Sequence, residues 1–398
     1  MVNQLSHTAI MRLLLSILFL LIFQNGKAQS DVNNLRIAVK KQIETGHYHR
    51  AITLLENHLE EVCRDSSVLF DVLIDLYVQE KRWSDVLNAY RFHHFSPDED
   101  TTTLSIARFA SGHSQEKISG SDTVQILFKR AIGGSPLIGV KVNGKKYRFW
   151  FDTGAGMTVL SSATAKKCGI VNAKIDNGIA TASTGKKLQL HAGIIDSLEI
   201  GKMNIQNHVT IILNRRDLEW RLLGIRVFKI DGIIGWNLLQ ELDVTINNRT
   251  DSILLATTHE SEIDATNFFW IGAPLIECID ENGDSSLFTI DTGAGNGGIY
   301  EPFLSHTAAK SAEEKKVLMS SAGGTKMIDS YKVPSVKLNV SDKQVVIIDA
   351  PLQPHGINSF FPADGVLGMR QFEGLIVHFN MQQGFFTLMD YRDVKEAF

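Results

Sequence analysis

Two copies of one short motif carry the residues that could do chemistry. The pentapeptide Asp-Thr-Gly-Ala-Gly occurs at 152–156 and again at 291–295, a separation of 139 residues. Each copy follows an apolar β-type run, so it places a carboxylate and a short hydroxyl at a strand end, while its glycine permits a tight turn. If two such carboxylates lie about 3 Å apart, they cannot both ionise readily and therefore share one proton. The ionised member can then take a proton from water while the protonated member polarises an amide carbonyl.

The motif is part of a longer internal duplication. Pro-Leu-Ile precedes the first copy at 136–138 and the second copy at 274–276, by 16 and 17 residues. Downstream, an Asp-Gly-apolar-apolar-Gly segment follows each copy, at 231–235 and at 364–368. Three features in one order at nearly equal spacing indicate two similar lobes. Lobes that face each other about a pseudo-twofold axis would bring the two motif aspartates together.

The elements that must position these motifs are short β runs separated by turn signals such as Asn143-Gly144. Each half ends in a paired β run, Val244–Leu255 in the first and Leu375–Leu388 in the second. We therefore predict an all-β catalytic region built as two lobes, over 123–258 and 267–398, and preceded by a small α-helical module.

These features resemble the retropepsin- and pepsin-type aspartic peptidases, with both lobes in a single polypeptide, over roughly residues 121–398. The resemblance implies an aspartic endopeptidase in which Asp152 and Asp291 are the catalytic pair. It also implies that Thr153 and Thr292 form reciprocal hydrogen bonds beneath this pair. The resemblance also places Gly154 and Gly293 in the active-site loops. It implies two strands that brace these loops from below, formed by Ile233, Ile234 and Gly235 in the first lobe and by Val366, Leu367 and Gly368 in the second.

The residue after the motif glycine departs from the pepsin pattern. It is alanine at positions 155 and 294, as in retroviral-type peptidases, where pepsins usually carry serine or threonine. One hydrogen bond fewer to the ionised aspartate leaves the pKa values of the pair higher. We therefore expect activity at weakly acidic to neutral pH, above the range of a pepsin.

Two Gly-containing turns lie between the motif and the downstream glycine strand, where the resemblance implies flaps that close over a substrate. Neither turn contains the tyrosine that pepsins carry on their flap. The candidate flap residues are Ser183, Thr184 and Gly185 in the first lobe, and Ala322, Gly323 and Gly324 in the second. A polypeptide substrate would lie extended between the lobes and pair its main chain with the flaps.

Other interpretations of the same residues are weaker. Residues 293–298 match G-x-G-x-x-G, but a dinucleotide site needs a helix that opens at this turn, and the copy at 154–159 lacks the third glycine. Asp231 and Asp364 form an alternative carboxylate pair, although Asp-Gly before a strand is typical of a turn. A catalytically silent module that binds peptides or proteins could keep this fold, but intact Asp-Thr-Gly in both lobes argues against it.

Residues 29–110 show helical periodicity, with apolar residues three and four positions apart. Two segments, 46–51 and 81–86, are 35 residues apart, and each opens an amphipathic stretch with an aromatic residue in register. This spacing resembles a pair of tetratricopeptide-type helical hairpins. We predict a small helical module packed on its neighbour, with a docking site for a protein partner as the alternative. A polar stretch of small residues at 111–122 predicts a linker.

Composition excludes several classes of protein. The chain has 398 residues, 44% hydrophobic and 21% charged, unlike collagen-like, coiled-coil or disordered proteins. Forty basic against 44 acidic residues give a net charge of −4, so there is no electrostatic case for nucleic acid as a partner. Its three cysteines, Cys63, Cys168 and Cys278, lie far apart. We expect buried free thiols, and neither a metal nor a cofactor.

Residues 1–28 have the pattern of a cleaved secretory signal peptide. Arg12 precedes an eleven-residue, largely apolar run at 13–23, and small residues stand at positions 26 and 28. Eleven helical residues rise about 16 Å, too little for a hydrocarbon core of roughly 30 Å, which favours a cleaved signal over the alternative of an uncleaved membrane anchor. We therefore expect an exported bacterial protein, located in the periplasm, at the cell surface or in the medium, with no membrane attachment beyond the signal.

Overall fold

The structure is a computed structural model of the chain, and it covers most of the predicted β region. It describes residues 32–93, 102–131, 133–171, 173–181, 186–222, 225–258, 266–306, 313–321, 324–353 and 360–390. The predicted signal peptide at 1–28 lies outside these ranges. Within them, no helix is both long and apolar enough to cross a membrane.

Helices make up the first part of the described chain. They are α1 (32–44), α2 (Tyr48–Glu56), α3 (Leu59–Asp65), α4 (Ser67–Gln79), α5 (Trp83–Phe92) and α6 (Thr102–Ala110). In α2 the buried residues, Tyr48, Ala51, Ile52 and Leu55, repeat at three- and four-residue spacing, so one face of the helix packs into the core. The side chain of Ser66 caps α4 by accepting the backbone N–H of Leu69.

The turns before α2 and α5 are alike in conformation. Gly46 has φ of 70°, and Lys81, 35 residues later in the second segment, has φ of 54°. Both values lie in the left-handed region, which glycine adopts freely and other residues adopt at a cost. The two helical segments therefore repeat a turn as well as a spacing. Their assignment to the tetratricopeptide type stays a prediction.

The first β lobe contains two short helices and most of the strands of the larger sheet. Its elements are β1 (Lys117–Gly120), β2 (Thr123–Arg130), β3 (Pro136–Val142), β4 (Lys145–Phe151), β5 (Val159–Ser161), α7 (Ser162–Lys167), β6 (Ala173–Thr181), β7 (Lys187–Ile200), β8 (Met203–Leu213), β9 (Glu219–Leu222), β10 (Ile225–Lys229), β11 (Gly232–Ile234), α8 (Trp236–Leu239), β12 (Leu242–Asn247) and β13 (Ser252–Thr257).

The second β lobe repeats this arrangement in shorter form. Its elements are β14 (Phe268–Trp270), β15 (Pro274–Asp280), β16 (Ser285–Ile290), β17 (Gly298–Tyr300), α9 (Glu301–His306), β18 (Glu313–Ser321), β19 (Gly324–Val340), β20 (Lys343–Gln353), β21 (Gly365–Leu367), β22 (Ile376–Asn380) and β23 (Phe385–Met389). Here β21 pairs parallel with β16 and antiparallel with β17, as β11 pairs with β4 and β5 in the first lobe.

The last hairpin of each lobe joins the two lobes. β12 and β13 form one hairpin, β22 and β23 form the other, and β12 pairs antiparallel with β22 over Asp243↔Asn380 to Asn247↔Ile376. One continuous sheet thus runs from the end of the second lobe into the first. The predicted fold class, two similar all-β lobes preceded by helices, is confirmed, and the three cysteines are buried and free.

The helices pack against both lobes. The Tyr48 hydroxyl accepts the backbone N–H of Trp270, in the second lobe, at 2.9 Å. The side chain of Gln240, at the end of α8, donates to the carbonyl of Gln79 at 2.7 Å. Thr102, the first residue of α6, exchanges two hydrogen bonds with the backbone of Ile179 in β6. The helical module is therefore fixed to the β lobes by specific polar contacts as well as by a shared apolar core.

The segment predicted as a linker, 111–122, does more than connect the helices to the lobes. It contains β1, which pairs antiparallel with β8 from Lys117↔Gln206 to Gly120↔Met203. A polar, small-residue composition indicated a flexible connection, but an edge strand needs no apolar side chains when its backbone bonds are made to a neighbour.

Candidate active site

Each motif aspartate directly follows a central strand, and its backbone N–H bonds to the strand of the downstream Asp-Gly-apolar-apolar-Gly segment. We call these two strands, β11 and β21, the glycine strands. Asp152 follows β4, and its N–H donates to the carbonyl of Ile234 at 3.1 Å. Asp291 follows β16, and its N–H donates to the carbonyl of Leu367 at 2.9 Å. The strands predicted to brace the loops, β11 and β21, therefore lie directly beside them.

The two aspartates face each other across the junction of the lobes. A β-carbon at Gly154 would lie 2.5 Å from the carboxyl carbon of Asp291. A β-carbon at Gly293 would lie 2.4 Å from Oδ2 of Asp152. Each motif glycine thus packs against the opposite carboxyl group, and any side chain there would collide with it. Both aspartates are half-buried as residues.

Backbone N–H groups orient the carboxylates. The N–H of Gly154 donates to Oδ1 of Asp152 at 2.9 Å. Two N–H groups, from Gly293 and Ala294, donate to Oδ1 of Asp291 at 2.8 and 3.0 Å. Hydrogen bonds of this kind stabilise the ionised carboxylate, and the backbone N–H groups of Gly154 and Ala155 lower the pKa of Asp152 as those of Gly293 and Ala294 lower the pKa of Asp291.

Burial raises the pKa of both carboxyl groups. For Asp152, burial and the charge of Asp291 together hold the pKa well above its usual range. For Asp291, burial raises the pKa, while hydrogen bonds from Asp152, Gly293 and Ala294 lower it in part. The pair therefore keeps one proton to higher pH than an isolated carboxyl would.

Thr153 and Thr292 lie beneath the aspartates and connect the lobes. The hydroxyl oxygen of each accepts the backbone N–H of the other at 3.0 Å. Each hydroxyl also donates to a carbonyl of the opposite lobe at 2.7 Å, Thr153 to Ile290 and Thr292 to Phe151. Four hydrogen bonds therefore fix the two loops relative to each other in a buried position.

A loop of the first lobe also reaches the second motif, which the sequence alone did not indicate. Ser135 is fully buried, and its hydroxyl donates to the carbonyl of Gly293 at 2.8 Å. A β-carbon at Gly295 would lie 2.5 Å from the carbonyl oxygen of Gly133 in the same loop. Alignment of the two Pro-Leu-Ile copies could have drawn attention to this position, because Ala273 replaces the serine in the second lobe.

In each lobe, one amide side chain connects the aspartate loop to the glycine strand. The sequence analysis did not predict either of these side chains. In the first lobe, Oδ1 of Asn237 accepts the N–H of Thr158 at 2.8 Å. In the second lobe, Oε1 of Gln371 accepts the N–H groups of Gly297 and Gly368 at 2.7 and 3.0 Å. The sequence did contain a signal for them, because an amide residue follows Gly235 by two positions and Gly368 by three.

Most of the candidate flap residues fall outside the part of the chain that the structure describes. Ser183, Thr184 and Gly185 lie in one such gap, and Ala322 and Gly323 lie in another. The strands on either side are described. They pair up to Thr181↔Lys187 in the first lobe and to Ser321↔Gly324 in the second, so both gaps are at the ends of hairpins.

The alternative carboxylates have structural partners. Oδ2 of Asp364 accepts the N–H of Leu287 at 2.9 Å, and Asp231 forms an ion pair with Lys229 at 2.8 Å. The glycine-rich run at 293–298 leads into strand β17 and no helix opens there, contrary to what a dinucleotide site requires. Across the described ranges, no group of three or more His, Cys, Asp or Glu side chains could hold a metal ion.

Comparisons with known proteins relate part of the first lobe to a family of aspartyl proteases. The family model of gag-polyprotein putative aspartyl proteases matches residues 138–230. The crystal structure of a retropepsin-like aspartic protease from Rickettsia conorii matches with 20% sequence identity and a TM-score of 0.22. That match covers 36% of this chain and 97% of the other. A comparison with curated proteins gave no significant match.

Proposed function

We propose that the chain is an aspartic endopeptidase in which Asp152 and Asp291 together activate a water molecule. The observation that carries this proposal is the mutual packing of each motif glycine against the opposite carboxyl group, which leaves the two carboxyls adjacent at the junction of the lobes. The match of the first lobe to a family of aspartyl proteases supports the same reaction class.

The shared proton gives the two carboxyls complementary roles. The ionised carboxyl takes a proton from the attacking water. The protonated carboxyl donates its proton to the carbonyl oxygen as the water oxygen bonds to the carbonyl carbon. The product of this step is a gem-diol, with both transferred protons accounted for.

Collapse of the gem-diol restores the starting state. The carbon–nitrogen bond breaks, and the leaving nitrogen takes the proton that the first carboxyl accepted from the water. One hydroxyl of the gem-diol returns its proton to the other carboxyl as the new carboxyl group of the product forms. No covalent intermediate with the protein and no cofactor is required, because the two carboxyls alternate as acid and base.

The substrate is proposed to be a polypeptide bound extended between the lobes. Its main chain would add to the β6–β7 and β18–β19 hairpins as a further strand. Export of the protein after removal of residues 1–28, and a protein partner for the helical module, remain further proposals from the sequence.

Peptide cleavage tests the proposal directly. Residues 29–398 and the Asp152→Asn variant are incubated with a diverse peptide mixture from pH 3 to 8, with and without a statine-type inhibitor, and products are read by mass spectrometry. We expect cleavage by the unsubstituted protein alone, blocked by the inhibitor. No cleavage by either protein across this range, or equal cleavage by both, would contradict the proposal.

A further inference from the structure

A series of buried polar contacts connects the helical module to the first aspartate loop. Nζ of Lys81, at the turn before α5, lies 2.7 Å from Oε1 of Glu116. Oε2 of Glu116 lies 2.5 Å from Nδ1 of His208 in β8. Nε2 of His208 lies 2.8 Å from the hydroxyl of Thr158, six residues after Asp152. We call these four residues, Lys81, Glu116, His208 and Thr158, the relay.

The inner end of the relay joins the aspartate loop to its glycine strand. The hydroxyl oxygen of Thr158 accepts the N–H of Gly235 at 3.3 Å and lies 3.2 Å from Oδ1 of Asn237. Gly235 directly follows Ile234, whose carbonyl accepts the N–H of Asp152. A shift of Thr158 would therefore alter both strands that hold the first aspartate.

Three residues of the relay, Glu116, His208 and Thr158, lie in the protein interior, where polar groups are costly unless they are fully paired, and Lys81 is partly exposed. His208 and Thr158 are 0% exposed, and the side chain of Glu116 is 7% exposed. Burial alone would raise the pKa of Glu116, but His208 and Lys81 outweigh it and lower this pKa to about 2. Lys81 also pairs with Glu241 at 2.9 Å, so each charge has a partner. Apolar residues often stabilise such a site as well or better, so stability alone does not account for its polar character.

The second lobe performs the same task without the helical module. There Gln371 alone accepts the N–H groups of Gly297 and Gly368, the counterparts of Thr158 and Gly235. Gly297 has no side chain that could extend a relay. The first aspartate loop thus contacts a series of side chains that begins in the helical module, whereas Gln371, which accepts the N–H groups of Gly297 and Gly368, belongs to the second lobe itself.

The backbone of Lys81 points to the same conclusion. Its φ of 54° is left-handed, and the equivalent residue of the first helical segment is Gly46, which adopts φ of 70° without strain. A lysine in this position costs backbone energy that glycine would avoid. Its amine makes the two ion pairs that begin the relay, which accounts for a lysine at a glycine position.

We propose that His208 is a positioning residue for the Asp152 loop and that the helical module sets its position through Lys81 and Glu116. The expected effect on kcat rests on the proposed function. The positioning of the Asp152 loop by His208 does not. Glu116 orients the imidazole from Nδ1, and Nε2 then fixes the Thr158 hydroxyl between Gly235 and Asn237. The helical module is accordingly a working part of the catalytic unit, and loss of the relay would loosen the Asp152 loop more than the Asp291 loop.

Hydrogen exchange read by mass spectrometry tests the positioning role independently of peptidase activity. His208→Leu should speed exchange in peptides that cover 152–159 by about 10-fold, because a buried hydrogen-bond partner is lost. Peptides that cover 291–299 should exchange as in the unsubstituted protein. His208→Gln, which keeps a donor and an acceptor, should restore most of the protection. His378→Gln is the matched control, because His378 pairs with Asp243 at 2.9 Å away from both loops.

Two substitutions of Lys81 guard against a variant that merely fails to fold. Lys81→Met removes the amine and keeps the left-handed strain, whereas Lys81→Gly removes the amine and relieves that strain. Both should speed exchange at 152–159, and both should lower kcat by about 10-fold or more with KM changed by less than about 3-fold. Unchanged exchange at 152–159 in the His208 and Lys81 variants would overturn the inference. If the unsubstituted protein has no peptidase activity, but the His208 and Lys81 variants still exchange faster at 152–159, only the proposed function is overturned.

Discussion

Gly154 of the first lobe packs against the carboxyl group of Asp291 of the second, so closely that a β-carbon at 154 would lie 2.5 Å from the Asp291 carboxyl carbon. The reciprocal contact joins Gly293 to Asp152. The two glycines, Gly154 and Gly293, therefore set the distance between the carboxyl groups. Gly156, in the same motif, provides a control position for substitution by alanine. A β-carbon at Gly156 would meet no atom within 4 Å.

Gly154→Ala and Gly293→Ala should each displace the opposite carboxyl group. A displacement of about 1 Å at the reacting groups costs about 100-fold in rate, so we expect kcat/KM on a peptide substrate to fall by that factor or more. Gly156→Ala should retain activity within about 3-fold, because its methyl group meets open space. Equal activity in Gly154→Ala and Gly156→Ala would show that the carboxyls do not need this spacing.

The threonine hydrogen bonds beneath the aspartates should contribute measurably to stability. Thr153→Val and Thr292→Val each leave buried backbone groups unpaired, which costs about 1–3 kcal/mol in the free energy of unfolding. Chemical denaturation followed by circular dichroism measures this loss. Thr245→Val, on a partly exposed position of β12, is the matched control and should change stability by less than about 0.5 kcal/mol. A loss no larger at 153 or 292 than at 245 would contradict the account of the lobe junction.

The alanines after the motif glycines should set the pH range of activity. Ala155→Ser adds a hydroxyl that can donate to the ionised Asp152, and a hydrogen bond to the ionised form lowers a carboxyl pKa. The acidic limb of the pH–rate profile should therefore move to lower pH, and Ala294→Ser should act in the same direction on Asp291. Ala256→Ser, on β13, serves as the control. An acidic limb that stays in place or moves to higher pH would refute this explanation.

The raised pKa values predict how stability varies with pH. Because burial raises the pKa of Asp152 in the folded protein above its value in the unfolded chain, the folded state binds this proton more tightly. The corresponding stability is fully present below about pH 4 and is lost as pH rises through the folded pKa. Asparagine at 152 resembles the protonated acid at every pH, so the melting temperature of Asp152→Asn should exceed that of the unsubstituted protein at pH 8.

The same comparison at pH 4 should show a much smaller difference. Thermal melts followed by circular dichroism at both pH values measure it. Asp342→Asn removes a surface carboxylate that is 73% exposed and should leave the pH dependence unchanged. A melting temperature of Asp152→Asn below that of the unsubstituted protein at pH 8 would mean that the ionised Asp152 stabilises the fold. That result would contradict the raised pKa of Asp152.

The duplicated motif made the fold class predictable, because repetition at nearly equal spacing is visible in the chain itself. The contacts that complete the site are different in kind. Glu116 and His208 are 92 residues apart and belong to no repeated pattern, and Ser135 is an ordinary serine before a strand. Each acquires a role only when the lobes and the helical module pack together. Residue type and local periodicity therefore predict where a strand ends, but not which distant side chain meets it.

The most direct test of the central claim compares kcat/KM on one cleaved peptide for the unsubstituted protein and for Asp152→Asn, Asp291→Asn and Asp231→Asn. Asp231 is a carboxylate of the first lobe whose partner is Lys229. We predict losses of about 100- to 10,000-fold in both Asp152→Asn and Asp291→Asn, because each removes half of the acid–base pair. Asp231→Asn should stay within about 3-fold. Activity within 10-fold of the unsubstituted protein in either Asp152→Asn or Asp291→Asn would contradict the dyad.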